Sequence, residues 1–412
     1  MKKLNQAGFH LIPVLLFIVV IGAVGVVGYK VMNADKDKKD GGQSQQAGNG
    51  PMNFKDQYKD VCKDRDVKFT ASPVPLNQLG YIEPLGKVSD GHVTPTDHVY
   101  MAPKNQQAAD NTTDVVMPAD GTVVEIARMP DQYIGDRNQQ TADEDHRIVV
   151  SFSCRYFAIF IHVHQLSPAL AQAAGQMAPN ENKRVSVDLK AEALIGRIGG
   201  NPVDWTPIDT DKQLKGFIGP DKYQGEPWKI YTVSPFDLYQ GTLKRQMESK
   251  SLRTVSPLGG KIDWDLKGKL QGNWFREGTD YSGQGGGDRY WDGHLSVAPD
   301  YIDGLTPIVS IGNWEGKAAQ YAAKGDFNPA KVGVNAGPVK VELTKITYLL
   351  QDGSFANLTQ PQRGMKVDTS GAVVGTILFQ VEKGEKLKLE KFPGKSASQV
   401  SGFTNAAQTY ER

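Results

Sequence analysis

The chain has 412 residues, with 47 Lys and Arg against 46 Asp and Glu for a formal net charge of +1. That balance provides no bulk basic field for nucleic acid, and the length accommodates two domains plus appendages. Forty-four glycines and 23 prolines, set among little helical periodicity, favour a β-rich protein with many turns. The only cysteines are Cys62 and Cys154. They either form one disulfide in an oxidising compartment or serve as two small buried apolar residues, and the sequence leaves both readings open.

In chain order, residues 9–29 carry no charge and are almost wholly apolar, about the length that crosses a ~30 Å hydrocarbon core as a helix. Residues 1–32 are therefore expected to form a transmembrane anchor. Gly8-Phe9-His10-Leu11-Ile12-Pro13 after Lys2 and Lys3 resembles a type IV prepilin leader, cut after Gly8, with Pro13 standing where pilins carry a glutamate. Lys30, Lys36, Lys38 and Lys39 follow the span and, by the positive-inside rule alone, would hold the large domain inside. Residues 33–52 read as a polar tether with no core-forming residues. Residues 53–79 read as a lead-in containing a short helix, on the spacing of Phe54, Tyr58 and Cys62.

The next stretch supplies the strongest local pattern. Val115-Val116-Met117-Pro118-Ala119-Asp120-Gly121-Thr122-Val123-Val124 places an Asp-Gly turn between two β-branched runs, which predicts a hairpin. Residues 147–152 and 156–164 read as two further strands, the second ending in His162-Val163-His164, and period-two alternation puts both imidazoles on one face. Residues 184–190 form another strand, leading into Ala193-Leu194-Ile195-Gly196-Arg197-Ile198-Gly199-Gly200. Residues 131–145 read as a solvated acidic loop, 167–177 as an Ala-rich helix and 206–229 as a long insertion. Upstream, residues 91–98 offer His92, Asp97 and His98. Imidazole and carboxylate are suitable ligands for a metal, while Asp97 could equally cap a turn after Pro95 with His98 merely packed.

Residues 118–123, Phe160-Ile161-His162 and residues 187–199 occur in an order that resembles the lysostaphin/LytM-type zinc endopeptidases, over roughly residues 80–245. That resemblance implies the duplicated hybrid β-sheet fold. It also implies a zinc ion held by an early His and Asp and by the last His of a closing His-x-His, with the aromatic-x-His assisting proton transfer. On this sequence it assigns His92 and Asp97 to the metal, one residue further apart than in the family, with His98 as an additional ligand. It places His162 in the assisting position, with His164 beside it as a second catalytic candidate. Residues 228–233, where the closing motif is expected, contain no histidine. The implied partner is peptidoglycan or another envelope glycan or peptide, and the implied location is a single-pass membrane protein with the large domain outside the cytoplasm. Two functions follow as expectations: a zinc-dependent envelope-remodelling enzyme, or a non-catalytic adhesin or assembly scaffold on a degenerate peptidase fold.

Residues 251–400 change texture, with short strands between turn clusters, and are expected to form a β-sandwich-like domain. Trp264, Trp274, Trp291 and Trp314, with Tyr281, Tyr290 and Tyr301, read either as a glycan-stacking platform or as aromatic core. Gly283-Gln284-Gly285-Gly286-Gly287-Asp288 lacks the strand–loop–helix setting of a phosphate cradle. Residues 401–412 read as a polar tail. The expected fold class is thus mainly β: a transmembrane helix, a LytM-like sheet domain and a C-terminal sandwich.

Overall fold

The computed structural model describes residues 54–130, 144–283 and 289–412. The chain is mainly β. After a one-turn helix α1 (Phe54–Gln57), strands β1 (Leu79–Glu83), β2 (Val99–Pro103), β4 (Gly121–Arg128), β5 (His146–Ser151), β6 (Tyr156–Val163), β8 (Asn182–Leu189) and β10 (Val203–Asp209) enter one seven-stranded sheet in the order β1-β2-β10-β6-β5-β4-β8. Strands β3 (Thr113–Val116), β7 (Gln165–Leu166) and β9 (Leu194–Ile198) form a small second sheet in the order β3-β9-β7. Helix α2 (Pro168–Ala174) lies between β7 and β8. Helix α3 (Gly241–Lys250) precedes the C-terminal half.

The two runs around Asp120-Gly121 are strands, but they do not form the expected hairpin. β3 pairs with β9, while both edges of β4 are taken by β5 and β8. The Pro118–Asp120 corner therefore passes the chain from the small sheet to the large one. Asp120 fixes that corner by accepting from Lys190 Nζ at 2.7 Å and from the Ala191 backbone N–H at 2.9 Å. Gly196 sits on β9 between β3 and β7, where a Cβ would collide with the Gln165 carbonyl, so only glycine admits both neighbours.

β10 runs into the 206–229 stretch that sequence reasoning took as an insertion. It pairs with β6 from Asp204 to Asp209, but β2 covers only Val203 to Trp205. Pro207 thus falls beyond the reach of β2, where its missing N–H costs the sheet nothing. Residues 228–233, expected to be the closing strand, instead form a short 3-10 turn over Lys229–Tyr231 and touch β10 through one bridge, Ile208 to Thr232.

The expected sandwich is a closed eight-stranded barrel. Its strands are β11 (Gly272–Arg276), β12 (His294–Pro299), β13 (Pro307–Trp314), β14 (Lys317–Ala323), β15 (Val339–Lys345), β18 (Val373–Glu382), β19 (Lys386–Pro393) and β20 (Gln408–Glu411), with β16 (Tyr348–Leu349) and β17 (Lys366–Val367) as a separate pair. Closure comes from the expected tail: β20 joins β19 to β11 through the pairs Phe275–Glu411 and Arg276–Tyr410. Inward residues such as Trp274, Leu295, Ile311, Phe379 and Tyr410 fill the interior, as expected for a barrel of this strand number. Trp274, Trp314, Tyr281 and Tyr290 are buried, which places those four rings in the core rather than on a platform.

The membrane assignment is corrected. Among the described residues no helix is long and apolar enough to cross a membrane, so the transmembrane fold class and the single-pass localisation are not upheld. Residues 9–29, on which that expectation fell, lie outside the described residues, as do the leader, the tether and most of the 131–145 loop.

The core of the sheet reaches the barrel through Phe275 of β11, while the barrel interior forms its own cluster. Val123, Phe160 and Trp205 from the sheet belong to the same buried cluster as Phe217, Tyr223, Phe275 and Tyr281. At the other face of the sheet, Phe54 and Tyr58 pack on Phe157 and Trp228, and a Cys62–Cys154 disulfide ties the lead-in to the β5–β6 turn.

Candidate functional site

Three strands of the large sheet bring the candidate residues together. Asp97 and His98 stand just before β2, His162 lies near the end of β6, and Asp204 is the second residue of β10. Because β10 runs between β2 and β6, Asp204 falls between the two imidazoles. Its Oδ2 lies 3.5 Å from His98 Nε2 and 3.6 Å from His162 Nε2. The chain extends in both directions: His98 Nδ1 meets Asp97 Oδ1 at 3.2 Å, and His162 Nδ1 meets Asp145 Oδ2 at 2.8 Å. The result is a five-member row, Asp97–His98–Asp204–His162–Asp145, in which carboxylates and imidazoles alternate.

His162 reaches this row through a local break in its strand. Its φ is +73°, and the β5–β6 register skips it, pairing Arg147 with Ile161 and His146 with Val163. It is the extra residue of a β-bulge, a device that re-aims a side chain. The bulge also cancels the alternation that would have set His162 and His164 on one face. His164 is buried elsewhere, with Nδ1 3.2 Å from Asp110 Oδ1 and its backbone N–H donating to the Arg197 carbonyl. The structure therefore separates His164 from the other candidates.

His92 belongs to the neighbourhood but not to the row. Its ring centroid is 5.7 Å from that of His98, and burial, followed by the charges of His98 and Lys229, holds its pKa well below the ordinary imidazole value. The 89–92 turn that carries it is clasped by the barrel: Gln320 accepts from the Asp90 N–H at 3.0 Å and donates to the Asp90 carbonyl at 2.9 Å, while the Tyr290 hydroxyl donates to the Gly91 carbonyl at 3.4 Å.

The row is enclosed. Asp97, His98, Asp145 and Asp204 are all buried, and only His162 keeps appreciable side-chain exposure, at 19 %. Trp228 Nε1 donates to Asp97 Oδ2 at 2.8 Å, and the Tyr100 hydroxyl lies 3.0 Å from His98 Nε2. Burial alone would lower His98 and raise Asp97. The Asp204 and Asp97 carboxylates outweigh it and raise His98, while Lys229 and His98 outweigh it and hold Asp97 far below the carboxylate range. Asp204 is raised, chiefly by burial. Next to the row lies a second polar group shared with the barrel. Lys229, 1 % exposed, donates to the Tyr281 hydroxyl at 3.3 Å, and Tyr281 stacks on His294 at 5.3 Å. Burial and then Asp97 push Glu226 up to about 7.

Sequence reasoning missed Asp204 and Asp145. A strand signal at residues 203–209 would have found Asp204, but Pro207 conceals it. The residues present do not fit a catalytic zinc, which needs three convergent ligands and an open position. His98 meets Asp97 and Tyr100 through its two ring nitrogens, Asp97 meets His98 and Trp228, and His162 meets Asp145 and Asp204, while Asp204 Oδ1 is buried with no hydrogen-bond partner among the described residues. Among the described residues no group of three or more His, Cys, Asp or Glu side chains is arranged to hold a metal ion. What the arrangement can do is hold charge and protons in a fixed, dehydrated line between strands. No protein-family model, no characterised protein and no solved structure matches the chain.

Proposed function

We propose that the chain binds an envelope polymer, peptidoglycan in the first instance, without cutting it, using a LytM-like sheet as a scaffold. The observation that carries this reading is the buried row of alternating carboxylates and imidazoles at the residues to which the resemblance assigns the metal and the proton transfer. His98 is committed through both ring nitrogens, Asp97 is committed to His98 and Trp228, and Asp204 stands between two imidazoles. A hydrolytic site needs a nucleophile and an unfilled coordination position; a row whose imidazoles face its own carboxylates is suited to holding β2, β10 and β6 in register. The Cys62–Cys154 disulfide supports the envelope part of the reading, since such bonds persist in oxidising compartments.

The test is co-sedimentation of the purified chain with purified peptidoglycan sacculi. The chain is expected in the pellet, in a saturable fraction that rises with sacculus concentration. Recovery in the supernatant at every concentration overturns the polymer reading.

A further inference from the structure

A cleft of about 780 Å³ opens beside the disulfide, away from the imidazole row. It lies between the 64–69 segment, the β5–β6 turn and the start of the approach to α3, and Lys68, Phe69, Arg155, Tyr156, Asp211 and Leu238 are among its walls. That volume is within the roughly 300–1,000 Å³ typical of ligand sites. The geometry points to this cleft as an oligosaccharide site for N-acetylhexosamine units, the place where the proposed polymer would be held; the inference rests on that reading.

Three features carry it. First, the walls are fixed in advance. Cys62–Cys154 ties the two segments that flank the cleft, and Phe69 packs edge-on against Phe152, Tyr156 and Tyr239 at 5.0, 6.1 and 5.9 Å. Preorganised walls spare the ligand the cost of ordering them. Second, Arg155 is held as a flat donor. Asp209 takes its Nε and Nη2 at 2.8 and 2.7 Å, its guanidinium lies 4.8 Å from the Tyr156 ring centre, and the side chain stays 48 % exposed. Nη1 donates no hydrogen bond within the described residues, so a planar, oriented donor is available to a ligand oxygen. Third, the charge is mixed. Lys68 is exposed and has no ion-pair partner among the described residues, Asp209 and Asp211 flank Arg155, and Phe69 and Leu238 add apolar surface. This combination favours a ligand with little net charge, many hydroxyls and small apolar patches. An acetamido group presents both at one point: a carbonyl for the guanidinium and a methyl for the apolar wall.

The probe is the tetramer of β-1,4-linked N-acetylglucosamine, titrated calorimetrically into the full chain. The wild type is expected to show saturable binding. Arg155→Lys, which keeps the charge beside Asp209 but removes the planar fork, and Tyr156→Ala are each expected to weaken it at least tenfold. Leu305→Ser on the barrel is expected to bind as the wild type does. Each variant is accepted only with a native circular-dichroism melt, and Arg155→Lys serves if Tyr156→Ala fails to fold. Absence of saturable heat with the wild type, or unchanged affinity in Arg155→Lys, overturns the cleft assignment. Sacculus sedimentation separates the two claims. Pelleting without tetramer binding removes the cleft and leaves the polymer reading, whereas tetramer binding without pelleting does the reverse.

Discussion

His162 shows how much one backbone torsion decides. Held at a φ of +73°, it turns out of the alternation of β6 and lies beside Asp145 and Asp204, while His164 two residues on is buried against Asp110. Nothing in the letters His-Val-His signals the bulge. A plain strand would have made the two imidazoles neighbours. Asp204 is the residue on which the row turns. Asp204→Ala leaves two imidazoles facing an apolar methyl, and chemical denaturation is expected to show a loss of about 3–5 kcal/mol, typical of breaking a buried charged pair; Asp204→Asn, which keeps a hydrogen-bonding shape, is expected to lose less. Glu226 gives a pH test. Its carboxyl is raised from 4.5 to about 7, by burial first and Asp97 next, so the folded chain binds more protons than the unfolded one between those values. This group's contribution to stability is therefore complete below about pH 4.5 and lost as pH climbs through 7. The raised His98 acts in the same direction, while His294, lowered to about 4 by burial, acts against both between about pH 4 and 6.5. Comparing wild type with Glu226→Gln cancels those two. In urea midpoints measured across pH 5 to 8, the variant is expected to gain on the wild type as pH rises, and a pH-independent gap contradicts the assignment.

Among elements, what could be read locally was read well, and what depended on distant partners was not. The β-branched runs at 113–116 and 121–128 are strands, but the Asp-Gly pair between them could not reveal that their partners are β9 and β8 rather than each other. β10 escaped because Pro207 argues against a strand wherever both edges are paired, and only the shortness of β2 exempts it. Sandwich and barrel share the same short alternating strands. The difference lies in the pairing of β20 with β11, more than a hundred residues apart, for which no local pattern exists. That closure is locked by Arg412. Its side chain is 1 % exposed, stacks 4.0 Å from the Trp274 ring centre, and donates to Glu385 and to the carbonyls of Leu266, Lys269 and Gln271. Arg412→Ala removes the cation beside Glu385 and Asp265, leaving them their backbone N–H donors, and is expected to cost about 3 kcal/mol, read as a fall in the barrel's unfolding midpoint. The disulfide acts on the other end. It spans a separation of 92 residues, and its removal in Cys62→Ala/Cys154→Ala is expected to cost about 2–4 kcal/mol, with residues 54–69 becoming the first site of proteolytic nicking. Equal protease resistance in the reduced and oxidised chain contradicts this.

Across the whole molecule, the sheet and the barrel are joined by the apolar cluster that reaches Phe275 of β11 and by polar contacts between the two halves. Tyr281 and His294 from the barrel side meet Lys229 and Glu226 beside Asp97, and Gln320 and Tyr290 hold the turn that carries His92. The two histidine clusters were legible in the sequence, and His92, Asp97, His98 and His162 do fall in one neighbourhood. The sequence could not convey that the Asp204 carboxylate would lie between His98 and His162 or that Asp145 would meet the far side of His162, because Asp204 arrives on β10 and Asp145 just before β5. On the function proposed above, a sheet whose imidazoles face its own carboxylates holds polymer rather than cutting it. The most direct measurement is release of soluble muropeptides from purified sacculi incubated with the full chain, with and without added Zn²⁺. The account predicts release no greater than from buffer alone in both conditions. Zinc-dependent release that disappears in both His98→Ala and His162→Ala would contradict it.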